Sequence, residues 1–170
     1  MSTKDMLTHY IVYQVEKFEA KNSEEILKKG IKPYETLESP PEKIAINVLL
    51  EEGITELINL IAGLGTPTAW DNTNAYLGVG DDATAPAPAQ TGIIGTAVYK
   101  GMNGGFPQIS TQDCIWQADF IDTEAEFAWL EETIGNEITN AGDNLCRQNT
   151  SLGTKTSGQT WRLTATITFS

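Results

Sequence analysis

The chain has 170 residues, a mass of 18.5 kDa and a net charge of -12, from 11 basic and 23 acidic side chains. That length is one domain's worth and can bury one core, and 40% hydrophobic residues with 15 Gly and 7 Pro fit a globular, turn-rich fold better than a disordered chain. Such a field repels a phosphate backbone and disfavours nucleic-acid binding through a broad basic surface.

Counting removes further chemistries. His9 is the single histidine, so no histidine cluster can hold zinc, and Cys114 and Cys146 are too few for a zinc cage or a disulfide scaffold. No apolar run approaches the roughly 18 residues of a membrane span, and no charged-then-apolar leader opens the chain. The expectation is a soluble, unprocessed protein of a reducing cytoplasm, with no membrane or nucleic-acid partner and no cofactor. Charge is spread unevenly: residues 1–46 carry seven Lys against eight acidic residues, whereas residues 47–170 carry four basic against 15 acidic ones. The split predicts an N-terminal arm or small subdomain over 1–46 and a main domain over 47–170, although the arm could equally add strands to the main sheet.

In chain order, Tyr10 to Glu19 alternates apolar with polar residues and predicts a strand. Lys21 to Gly30 fits a short helix or a solvated loop. Tyr34 to Leu37 fits a second strand, stopped by Pro40-Pro41. Leu50, Ile54, Leu57, Ile58 and Ile61 then fall on one face at spacings of four, three, one and three, which predicts an amphipathic helix near 48–62 with those residues inward. Asn47 is its expected N-cap and Gly63 or Gly65 its stop, while Gly53 weakens the first turn.

From residue 74 the period changes to two. Ala75, Leu77 and Val79 point one way, Asp81-Asp82 opens a loop, and Ala83 to Gln90 is an extended, polyproline-like connector. Strands are expected over Ile93 to Tyr99, around Cys114, Trp116, Ala118 and Phe120, at Phe127 and Trp129, and over Trp161 to Phe169. In the last of these Trp161, Leu163, Ala165, Ile167 and Phe169 face inward. Gly101 to Gly105 is a turn. About seven or eight short strands at even spacing predict a mainly β fold, an antiparallel, jelly-roll-like β-sandwich with one short helix.

Few constellations carry chemistry. Adjacent Asp81 and Asp82 at a strand end are weak candidates for a metal, calcium first, against the simpler reading of a turn. Asp119, Asp122, Glu124, Glu126, Glu131 and Glu132 surround Trp129 as paired carboxylates do in glycosidases, but a solvated strand face explains them more simply. Arg147 beside Cys146 would lower the thiol pKa, yet a Cys-His nucleophile has only His9 to draw on. No catalytic residue is assigned and none is expected. Trp70, in a loop after the helix, and Tyr10, Tyr13, Phe18 and Tyr34 in the arm are the candidate partner-binding aromatics.

The order of several segments also carries a resemblance. Asn47-Val48-Leu49-Leu50 with Gly53-Ile54 comes first, followed by Asp71-Asn72, Asn74-Ala75-Tyr76 and Gly78-Val79-Gly80-Asp81. Tyr99-Lys100-Gly101-Met102, Glu126-Phe127-Ala128-Trp129 and Ser151-Leu152-Gly153-Thr154-Lys155-Thr156 come next, before the Trp161 strand. Over residues 10–170 this resembles small virion structural proteins of tailed bacteriophages. Glu131-Glu132 and Cys146-Arg147-Gln148 depart from that pattern, which is more neutral there or reads Asn-Arg-Lys. The resemblance implies a capsid cement (decoration) protein on the virion head, assembled in the host cytoplasm. Its partner would be the major capsid protein, and it would form a dimer or trimer. A tail, neck, baseplate or fibre-associated role is the alternative, and a carbohydrate-binding domain using Trp70 or Trp129 a more distant one.

Overall fold

A computed structural model describes residues 9–39 and 47–169. β1 (His9–Phe18) leads through α1 (Ser23–Lys29) and β2 (Glu35–Glu38) to β3 (Asn47–Leu49) and α2 (Glu51–Ala62). The strands β4 (Tyr76–Gly80), β5 (Val98–Gly101), β6 (Gln108–Ser110), β7 (Asp113–Phe120), β8 (Ala128–Trp129) and β9 (Glu131–Gly135) follow. β10 (Asn144–Gln148), β11 (Gly153–Thr154) and β12 (Thr160–Phe169) complete the chain.

One sheet has the order β2-β1-β12-β7-β6, the other β3-β10-β9-β4-β5, and β8 and β11 form a small ribbon. Every pairing is antiparallel. Ile11, Tyr13, Val15, Trp116, Ala118, Phe120, Leu163, Ala165 and Ile167 from the first sheet share one core with Leu77, Val79, Ile134 and Cys146 from the second. The fold is therefore the expected antiparallel β-sandwich. Phe120, Trp129 and Trp161 stack edge-to-face at its centre, with ring centroids 4.8 Å apart in each contact.

The charge split does not separate an arm. β1 pairs along its whole length with β12, from His9 opposite Phe169 to Phe18 opposite Thr160, and so lies inside the first sheet. The pattern that predicts a strand is also the pattern that buries one face, and that face needs a layer to cover it. α1 resolves the Lys21–Gly30 alternative as a helix, capped by the Asn22 side chain and by Gly30 in the left-handed conformation. β2 begins one residue later than expected, and the Pro40-Pro41 stop lies outside the described residues.

The expected inner face of α2 is corrected. Leu50 is buried, but Ile54, Ile58 and Ile61 are 38, 56 and 79% exposed, while Gly53 and Glu56 turn inward with Leu57 and Leu60 half-buried. Gly53 sets this rotation. A Cβ there would run into the backbone of Leu145 and stand 2.6 Å from the Asn144 carbonyl oxygen, so the helix approaches β10 on its glycine. Two glutamates then reach inward as acceptors: Glu52 takes the backbone N–H of Asn144 at 2.8 Å, and Glu56 takes that of Thr68 at 2.5 Å. Asn47 is not the cap. It belongs to β3, opposite Gln148, and Leu50 occupies the N-cap with no side-chain bond. Gly63 ends the helix in the left-handed conformation, as expected.

The strand expected over 93–99 is limited to Val98–Gly101. Residues 93–95 bond instead to side chains: Ile93 N–H to Asn140, and Ile94 and Gly95 N–H to Glu131. A segment held this way has no donors left for a ladder.

Candidate functional site

Glu131 and Arg147 lie on neighbouring strands of the second sheet, on its outer face, and both side chains are fully buried. The connector 81–97 lies over them. Arg147 Nε donates to Glu131 Oε2 at 2.8 Å and Nη2 approaches the same oxygen at 2.6 Å. Glu131 further accepts from the backbone N–H groups of Ile94 at 3.0 Å and Gly95 at 2.8 Å, while Arg147 Nη1 donates to the Thr84 carbonyl at 2.9 Å and to Gln90 at 3.1 Å. Gly80 makes room: a Cβ there would collide with the Glu131 carboxylate. The Ala83–Gln90 connector is thus strapped to a buried ion pair. A buried pair stabilises only where its remaining hydrogen-bonding groups are satisfied. The strap supplies partners to Glu131 and to Arg147 Nη1, while among the described residues Nη2 keeps only its ionic approach to Glu131.

Glu132 points the other way, on the side of Val79 and Ile134, towards the first sheet. It is fully buried, and among the described residues neither carboxyl oxygen has a hydrogen-bond partner. Burial pushes its pKa well above the usual carboxylate range; the Glu131 charge adds to this and Arg147 opposes it. Nearby, the Tyr13 hydroxyl meets Cys146 Sγ at 3.2 Å, and burial raises both groups, the thiol to about 12. Arg147 does not activate Cys146. Successive strand residues face opposite sides, so its charge goes to Glu131 on the outer face. Cys114 is half-buried and burial raises its thiol to about 11.

The acidic run does not converge on Trp129. Asp119 takes a bidentate pair from Arg162 at 2.7 and 2.9 Å, Glu124 pairs with Lys100 at 2.6 Å, and Glu131 and Glu132 are interior rather than solvated. Burial would raise Asp119, but bonds from Arg162, Ser23 and Asn103 outweigh it and hold the carboxyl below its ordinary range. Asp82 accepts from the N–H of Thr84 in a local turn, and Asp81 accepts from the N–H of Thr96 at the far end of the connector, both at 2.6 Å. Among the described residues no three His, Cys, Asp or Glu side chains gather into a metal-sized group. No helix among them is long and apolar enough to cross a membrane.

Of the candidate partner aromatics, Tyr13, Phe18 and Trp70 are buried. Tyr13 falls on the inward phase of β1, whereas Phe18 lies on the opposite face and is covered by Ala20 and Ile26 in a small second cluster. Trp70 is fixed by its indole N–H to the Asp143 carbonyl at 3.3 Å and accepts from the Trp116 indole on its own carbonyl at 2.9 Å. Trp129 is also buried, so neither tryptophan offers a platform for a sugar ring. Tyr10 and Tyr34 remain exposed, on β1 and just before β2.

The surface has two properties that sequence reasoning missed. All four basic residues after residue 47 are used internally: Lys100, Arg147 and Arg162 in ion pairs, and Lys155 buried with its Nζ on the Ile121 carbonyl at 2.7 Å. Their neighbours in sequence gave no sign of this, because each partner arrives from another strand or loop. The second property is apolar. Ile54, Ile58, Ile61 and, beyond the helix end, Leu64 line the outer side of α2, so the helix is apolar towards both core and solvent. The helical spacing does contain that stripe; only its direction is misread.

Comparisons with models of protein families, with curated proteins and with solved structures each give no match.

Proposed function

We propose that this chain is a structural assembly protein of the capsid cement type, which binds the outer head surface of a tailed bacteriophage and clamps neighbouring major capsid subunits as a dimer or trimer. The outward apolar face of α2 carries the reading. A helix that is apolar on both sides is ordinarily covered on both, and here, among the described residues, Ile58 and Ile61 stand mostly in solvent and Ile54 partly so. The ordered segments from Asn47 to the Trp161 strand, with their resemblance to small virion proteins, supply the particle. Many copies on a symmetric shell would add weak contacts at such a face into firm attachment.

The test is to separate virions carrying this chain into heads and tails and to quantify it in each fraction. Copies in proportion to the capsid subunits, on heads, are expected. A handful on tails would move the chain to the neck or baseplate, and absence from both would overturn a virion role.

A further inference from the structure

The two edges of the first sheet are built differently. At one edge β2 places Glu35 and Glu38 at its ends, and Glu35 is tied to Lys17 at 2.6 Å. Charged residues at an edge deter an incoming strand. At the other edge β6 carries Gln108, Ile109 and Ser110, all exposed, and the whole sequence from Gly101 to Gln112 contains no charged residue. Among the described residues no strand pairs with the outer side of β6.

The side chains show an overhang at the same place. Ile11, Ile167, Cys114 and Ile109 stand opposite one another in a single row across β1, β12, β7 and β6. Ile11 and Ile167 are buried, Cys114 is half-buried and Ile109 is 75% exposed. The row therefore runs past the layer that covers it. Beside it opens a cleft of about 340 Å³ walled by Leu57, Trp70, Ile109, Cys114, Trp116 and Phe169. Both indole N–H groups are already bonded to backbone carbonyls, so the cleft offers an incoming group apolar contact and no free indole donor.

Charge selects the visitor. Asp71 stands at the cleft wall and Asp113 lies opposite Ser110, while every basic residue after residue 47 is held in an internal contact. We propose that the β6 edge and this cleft form a docking groove for an extended, basic segment of a partner protein. The segment adds to the sheet beside β6 through main-chain hydrogen bonds and seats one large aliphatic or aromatic side chain between Ile109 and Trp70. A second copy of the chain fits less well. It would bring a further charge of -12, and a three-residue edge falls far short of the roughly 800 Å² per partner of a stable interface. The groove is separate from the outward face of α2, and the proposal stands whatever the outcome of the head and tail fractionation.

A displayed library of random dodecapeptides, panned against the intact protein and counter-selected on the Ile109→Arg variant, tests it. Ile109 is exposed, so the variant should keep the wild-type circular dichroism and melting temperature. Enriched peptides should carry Lys or Arg around a large apolar residue, bind wild type at least about tenfold more tightly than the variant, and weaken with added salt. Peptides that bind both proteins equally, peptides without basic residues, or no enrichment over the variant would overturn the proposal. Self-association in sedimentation that is lost in Ile109→Arg would also overturn it, assigning the edge to a second copy.

Discussion

Glu132 sets a carboxyl group in the core with neither oxygen hydrogen-bonded among the described residues, beside a tyrosine and a thiol that burial also keeps protonated. Its folded pKa lies above the ordinary value. Below pH about 4 both folded and unfolded chains hold the proton and the group is neutral in its effect. As pH rises, the unfolded chain releases the proton first, so this group favours unfolding progressively until pH passes the folded pKa. Glu132→Gln should therefore raise stability at pH 7 to 8 and match wild type near pH 4, with about 1.4 kcal/mol gained per pH unit over which the folded protein keeps its proton. Denaturant melts across that range read it; a Glu132→Gln gain that is independent of pH would contradict an ionisable origin. Glu131-Glu132 in sequence looks like a solvated strand face. Two carboxylates on opposite sides of one buried strand cannot be told from a polar run until the layers on both sides are known.

At the scale of elements, α2 is the clearest case of a helix read correctly and oriented wrongly. The apolar spacing places the helix, but its rotation is set by one residue that spacing counts as a defect. Gly53 permits the backbone of β10 to approach, and Glu52 and Glu56 then bond to N–H groups of Asn144 and Thr68. Gly53→Ala should cost about 1–3 kcal/mol by overpacking, whereas Ile58→Glu on the exposed side should stay within about 0.5 kcal/mol. Equal and large losses for both in thermal melts would mean that Ile58 is a core residue after all. Long strands with clean alternation, β1, β7 and β12, were legible. β3, β6 and β10 were not, because β3 and β6 are three residues long and β10 buries Arg147 and Gln148 where an alternation would need an apolar face.

The whole molecule is an antiparallel sandwich with an excess of acidic side chains, and the four cations after residue 47 all have partners within the fold. Composition gives the net charge; only the fold reveals that Lys100, Arg147, Lys155 and Arg162 are all engaged by partners within the chain. The same limit applies to the uneven charge along the chain, which looks like an arm but ends as the second strand of the main sheet. The outside also carries an uncharged strand edge and an apolar helix face, and the proposed assembly role rests on the latter. The most direct measurement is rebinding. On the proposed cement role, phage heads lacking this protein are incubated with wild type or with the triple variant Ile54→Glu, Ile58→Glu, Ile61→Glu, and bound copies are counted. The account predicts that wild type restores full occupancy and that the triple variant, folded and with an unchanged melting temperature, leaves the heads bare. Full occupancy by the folded triple variant would contradict the account.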